Sequence, residues 1–310
     1  MRASPITKVV VVSAALGLAQ VTAAQGLKFA AHSDLVVLSA TAVDHNGRPV
    51  RDLVAEELRI FDEGRPQKIV HFSTGREAAA RMLLLVDASG SMNGKLKTTS
   101  SQMTALQLMA ALEVNDEVAL AGFDSHYFGV VRFTRDRKAI EQGFAELSPF
   151  GTTALHDALD QAASDLATHG EGRRAVVVIT DGIDTASTKT PDEVIAHSRA
   201  LDVPIYAISV LSPIDDPHSS LFTGRERPSA ATRGSEVLAR YAEMSGGAAF
   251  LISDFRGLRE AAETISGELK HQYRLGYDPP AGPAHFRRVE VRSTRKGVVV
   301  RTRSGYMPPS

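Results

Sequence analysis

The chain has no cysteine and no tryptophan among its 310 residues, and aromatic residues make up only 6% of it. Without cysteine there is no disulfide scaffold, no thiolate-bound zinc or iron–sulfur centre and no thiol nucleophile, so any site must be built from oxygen and imidazole. An excess of one charge is also missing. With 35 Lys+Arg against 36 Asp+Glu the formal net charge is -1, which lacks the basic footprint of a nucleic-acid binder. Long apolar runs are absent too: the longest, Val9 to Ala19, is interrupted by Ser13 and Gly17 and falls short of the ~17 residues that a membrane span needs.

That run follows Arg2 and Lys8 and precedes the small residues Thr22-Ala23-Ala24. A positive segment, a short apolar core and a small-residue exit form the pattern of a secretory signal peptide. Residues 1–24 are therefore expected to be cleaved near Ala24. The mature protein would be exported, periplasmic or secreted, with no transmembrane span.

Beyond this segment both ends of the chain are β-rich. Leu35 to Val43 is short, apolar and β-branched, and the turn signal Asn46-Gly47 follows it. Leu58 to Phe61 and Gln67 to Phe72 flank Asp62-Glu63-Gly64 as a second hairpin, and Ser73 to Ala80 has the composition of a linker. At the other end Gln272 to Tyr277 alternates, and Arg287 to Arg292 and Val298 to Arg303 flank a turn at Lys296-Gly297. The terminal segments 25–78 and 271–310 together approach the size of one small sandwich. They are expected to pack as one domain with residues 79–270 inserted between them; two separate hairpin extensions are the alternative.

The middle segment has a different period. Met82 to Val86, Val118 to Phe123, Ala175 to Thr180, Ile205 to Val210 and Ala248 to Ile252 are apolar runs, and Phe128 to Phe133 reads as an edge strand. Helical patterns separate them, as in Leu155, Ala158, Leu159, Ala162, Ala163 and Leu166. Continuous apolar strands alternating with helices predict a doubly wound, mostly parallel α/β sheet covered on both faces. In such a sheet the ligand site lies outside the carboxyl ends of the strands. Asp87-Ala88-Ser89-Gly90-Ser91 follows the first strand, and Thr180-Asp181-Gly182 closes the third. Gly151-Thr152-Thr153-Ala154-Leu155 opens a helix, with a hydroxyl expected at its cap.

Asp87, Ser89, Ser91, Thr153 and Asp181 thus place two carboxylates and three hydroxyls around one crevice. In type and order they resemble the metal-ion-dependent adhesion site of the von Willebrand factor type A domain, written Asp-x-Ser-x-Ser, then Thr, then Asp. The resemblance extends over about 79–270, and the flanking ends are similar to bacterial exported proteins that carry such a domain. It implies that Ser89 and Ser91 ligate a cation directly, Asp87 and Asp181 directly or through water, and Thr153 mainly when a ligand is bound. Independently of the family, two carboxylates with neutral hydroxyls suit a small hard cation, magnesium foremost, with manganese or calcium as alternatives. Two negative charges only balance such an ion, which leaves it able to accept a carboxylate from a partner protein. A purely structural account has the serines capping the next helix and the aspartates satisfying backbone amides. Asp124, Thr152 and Asp184 stand nearby as candidates for an outer contact to the ion's ligands or to a partner, with an ordinary turn role equally open to Asp124.

An enzyme is not expected. The aspartate-nucleophile phosphatases need a second carboxylate two residues after the first, and that position is Ser89. No Gly-x-x-x-x-Gly-Lys loop, Gly-x-Ser-x-Gly elbow or dinucleotide fingerprint follows a strand, and His126, His169, His197 and His218 stand singly. Metal-dependent protein binding is the favoured function. A structural subunit of an exported assembly with a stabilising metal is the first alternative, and a metal-dependent hydrolase a weaker one. Leu211 to Gly234 is rich in turn formers and is expected to hold no helix; it would shape partner choice or do nothing.

Overall fold

The computed structural model describes residues 35–74, 79–93, 95–170, 172–210, 229–252, 254–281 and 285–308. The expected signal peptide, part of the 73–80 linker and residues 211–228 of the turn-rich segment lie outside them.

The first strands are β1 (Val36–Val43), β2 (Leu58–Asp62), β3 (Arg65–Gln67) and β4 (His71–Ser73). The α/β portion follows as β5 (Arg81–Asp87), α1 (Lys95–Ala111), β6 (Glu117–Phe123), β7 (Tyr127–Thr134), α2 (Arg137–Glu146), α3 (Leu155–Ala167), β8 (Arg174–Thr180), α4 (Pro191–Leu201), β9 (Ile205–Val210), α5 (Ser229–Ser245), β10 (Ala249–Ile252) and α6 (Phe255–Lys270). The chain ends with β11 (Tyr273–Tyr277), β12 (Arg287–Ser293), β13 (Val299–Thr302) and β14 (Gly305–Tyr306).

The central sheet has the order β10-β9-β8-β5-β6-β7, and only β7 runs antiparallel. Its strands alternate between two cores, as a sheet covered on both faces requires. Met82, Leu84 and Val86 face α1, α2 and α6, whereas Leu83 and Leu85 face α3, α4 and α5. The apolar stripe of α3, Leu155, Ala158, Leu159, Ala162, Ala163 and Leu166, is wholly buried. The predicted doubly wound α/β class is the fold observed. Helix α5 begins at Ser229, inside the segment expected to hold no helix. The serine, threonine and glycine of its first turns imitate loop composition, and the apolar positions Leu238, Tyr241 and Ala242 that anchor it come later.

The two chain ends pair with each other in two four-stranded antiparallel sheets, β13-β1-β11-β4 and β14-β12-β2-β3. A single apolar core fills the space between them, led by Leu38, Ile60, Leu275 and Val291. The hairpin expected to reach Phe72 ends at Gln67. β2 and β3 pair around Glu63 and Gly64, whose φ values of 50° and 74° are the positive pair that a two-residue turn favours. The chain then changes sheet, and β4 pairs with β11. Likewise β12 and β13, on either side of the Lys296–Gly297 turn, enter different sheets.

A buried charge closes this sandwich. Asp62 is fully buried and accepts hydrogen bonds from the hydroxyls of Tyr277 and Tyr306 and from Arg287 Nε, each at 2.8 Å. Removing the carboxylate would strand a guanidinium and two hydroxyls, and breaking a buried pair in this way costs about 3–5 kcal/mol. Asp62→Ala is accordingly expected to lower unfolding stability by that amount in urea titrations; a loss under about 1 kcal/mol, the range of an exposed pair, would contradict the assignment.

Candidate functional site

The crevice is built from the loops that follow β5 and β8 and from the loop between α2 and α3. Asp87 ends β5 and is 3% exposed. One carboxylate oxygen accepts the Ser89 amide at 2.9 Å and the other accepts Thr180 Oγ1 at 2.6 Å, from the end of the adjacent β8. Burial pushes the Asp87 carboxyl up to about 6 against the opposing pull of the Ser89 and Thr180 hydrogen bonds, and the nearby Asp181 charge adds to the rise.

After Asp87 the chain forms a short 3₁₀ turn, Gly90–Met92, with Ser89 at its N-cap position. Ser89 makes no side-chain cap bond there; its hydroxyl faces that of Ser91 at 3.1 Å. Ser89 thus does not cap this turn, while Asp87 and Asp181 each accept a backbone amide, as the purely structural account expects. Ser89 is fully buried, and Ser91 lies at the exposed rim. Backbone bonds from Gly90 N to Gly151 O and from Phe150 N to Ala88 O fasten this loop to the one that carries Thr153.

Thr153 is 4% exposed and immediately precedes the start of α3. The expected hydroxyl cap on that helix is not found: its N-cap is Ala154, without a side-chain bond. Ser187 Oγ accepts the amides of His156 and Asp157 instead, and Asp184 holds Ser187. The helix thus takes its cap from a loop about thirty residues further along the chain, and the Thr153 hydroxyl is not used for that purpose. Thr153 is fixed through its backbone, which accepts from the Thr185 and Ala186 amides, while its own amide donates to Thr185 Oγ1.

Asp181 is 2% exposed. Its Oδ1 accepts the Ile183 amide at 3.2 Å and its Oδ2 accepts Lys97 Nζ at 3.0 Å. Gly182 turns the chain at φ 80° and packs directly on Gly234 of α5. A Cβ on Gly234 would lie 2.9 Å from the Asp181 carbonyl oxygen, so α5 sets the position of the Asp181 loop. A second tie joins α5 to α3, because the Tyr241 hydroxyl and His156 Nδ1 are 2.7 Å apart. His156, in the first turn of α3, is largely buried.

Of the outer candidates, Asp184 serves as the anchor of Ser187. The Asp124 carboxylate closes its own turn by accepting from His126 N and Ser125 Oγ, and its carbonyl accepts the Ala154 amide. Thr152 is exposed beside the site. Lys97, Thr180 and Gly234 escaped the sequence reading. Only Lys97 left a signal there: a lysine in the first turn of a helix opposes the helix dipole and calls for a partner.

The donor set fits a small hard cation. Ligands about 2.1 Å from an octahedral ion stand about 3 Å apart when adjacent, close to the 3.1 Å between the two serine oxygens. Two buried carboxylates lie next to them. Among the described residues no group of three or more His, Cys, Asp and Glu is assembled for a metal, so any ion here would be held by hydroxyls as much as by carboxylates.

Residues 82–183 match the profile of the von Willebrand factor type A domain. This matched segment contains Asp87, Ser89, Ser91, Thr153 and Asp181. An aerotolerance-related membrane protein from Bacteroides fragilis is similar to this chain at 19% identity with a TM-score of 0.48, over 62% of this chain and 98% of its own. A von Willebrand factor type A protein from Catenulispora acidiphila shows 12% identity and a TM-score of 0.48, over 85% of this chain and 71% of its own. No curated protein matches the chain significantly.

The contact between Gly182 and Gly234 leaves no room for a methyl group. Gly234→Ala is expected to cost about 1–3 kcal/mol through overpacking, seen as a melting temperature several degrees lower; an unchanged melt would show that α5 does not hold the Asp181 loop.

Proposed function

We propose that the crevice binds one divalent cation, magnesium foremost, and that the protein uses it to bind a partner protein through a carboxylate. The observation that carries this reading is the facing pair of Ser89 and Ser91 hydroxyls, 3.1 Å apart beside the buried carboxylates of Asp87 and Asp181. Domains of the matched family are typically protein-interaction modules. When bound, the ion would supply an electrophilic position that a partner's Asp or Glu completes.

The chain's own residues account for the rest. Ser89 and Ser91 would be direct ligands, with Ser91 at the rim where a partner arrives. Asp87 and Asp181 would neutralise the ion, and Thr180 orients Asp87 by donating to it. Backbone ties fix Thr153 against the 184–187 loop, and its hydroxyl would join when a ligand is present. We further propose that the protein is a binding module rather than an enzyme, since among the described residues no general base is paired with the proposed ligands, and that it acts after export, on the strength of the 1–24 segment. Among the described residues no helix is long and apolar enough to cross a membrane.

The test is selection of displayed random peptides on the immobilised protein in magnesium, with elution by chelator. Peptides enriched in Asp or Glu are expected, with none recovered on the Asp87→Ala variant; binders that persist in chelator would overturn the reading. Protons and the ion should also compete for Asp87. Because burial raises its carboxyl to about 6, protonation below that pH removes one negative charge. Magnesium affinity, measured by calorimetry, is therefore expected to be flat above about pH 7 and to fall about tenfold per pH unit below 6.

A further inference from the structure

Lys97 lies in the first turn of α1, and its ammonium reaches Asp181 Oδ2 at 3.0 Å with the lysine side chain 11% exposed and the carboxylate 2% exposed. Three costs attach to that placement. The positive end of the helix dipole repels the charge, burial strips its hydration, and a long flexible side chain gives up rotamer freedom. A neutral residue there would avoid all three. The offsetting gain is the pair with Asp181, which lies in the very cluster proposed to hold the cation.

The charges in the crevice show what the lysine does. Asp87 and Asp181 contribute two negative charges, and Lys97 reduces the total to one. A divalent ion then makes the site singly positive, and a partner carboxylate returns it to neutral. Without the lysine, the ion alone would neutralise the site, and an incoming carboxylate would be left in excess. An ion bound directly by Asp181 would compete with the ammonium for Oδ2, since Oδ1 already accepts the Ile183 amide. Lys97 would then yield that oxygen as the ion enters, and its four-carbon stem lets the ammonium move without disturbing α1.

We propose that Lys97 is a built-in counter-cation that competes with the divalent ion for Asp181 and, once displaced, supplies the positive charge that favours an anionic partner. The proposal rests on the metal-site reading above. It predicts a site that binds its metal more weakly than its two carboxylates allow, and whose loops stay organised when the metal is absent.

The experiment compares the mature wild-type protein with Lys97→Met, a neutral side chain of similar length, and Lys97→Arg. Each is titrated with magnesium by calorimetry and melted in chelator. Lys97→Met is expected to bind magnesium at least tenfold more tightly and to melt several degrees lower in chelator, with the deficit recovered on adding magnesium. Lys97→Arg keeps the charge and is expected to follow the wild type in both. If Lys97→Met matches the wild type in affinity and in melting, or binds more weakly, competition is overturned while the metal site stands. If neither the wild type nor either variant binds magnesium, the metal-site reading fails and takes the competition with it. Binding by Lys97→Met alone would be the strongest support.

Discussion

Two like charges buried at neighbouring strand ends have to be balanced by a cation, and the crevice is organised around that need. Asp87 and Asp181 are held within a few per cent of complete burial, where water cannot screen their repulsion. Burial itself raises the Asp87 carboxyl, and the Asp181 charge adds a smaller part. The Lys97 ammonium is one such cation. A proposed divalent ion would be a second, and the stronger, because two positive charges can address both carboxylates at once.

The surrounding architecture makes this arrangement rigid. A parallel sheet brings the ends of β5 and β8 side by side, so that Thr180 can donate across to Asp87. Backbone bonds then lace the loops at 88–90, 150–154 and 184–187 to one another, and α5 closes the group through Gly234 and Tyr241. The sandwich built from the chain ends grips the opposite part of the α/β layer. Asp202, which caps α4 at φ 52°, accepts from the amide and hydroxyl of Ser39 in β1 and pairs with Arg303. Glu268 near the end of α6 pairs with Arg301 of β13. The loops of the candidate site are thereby left at the end of the sheet, clear of these contacts.

The sequence made legible what depends on neighbours in the chain. Continuous apolar runs revealed the parallel strands because burial on both faces removes the polar alternation, and the α3 stripe appeared for the same kind of reason. The loop donors Asp87, Ser89 and Ser91 were visible because one short loop carries all three. What stayed hidden depends on distant residues. The partners of Asp62 lie more than two hundred positions away. The cap of α3 comes from Ser187 and Asp184, so the local hydroxyls at 152 and 153 misled. The crossing between β3 and β4 was masked because Gln67 to Phe72 keeps a strand-like composition while the chain changes sheet.

The central claim is that one divalent ion sits between the serine pair and the two carboxylates. Crystals of the mature protein soaked in manganese and measured at the manganese absorption edge test it most directly. The account predicts a single strong anomalous peak about 2 Å from Ser89 and Ser91 Oγ, with Lys97 drawn away from Asp181. A crevice without a peak, Lys97 still on Asp181 in the presence of saturating manganese, would contradict it.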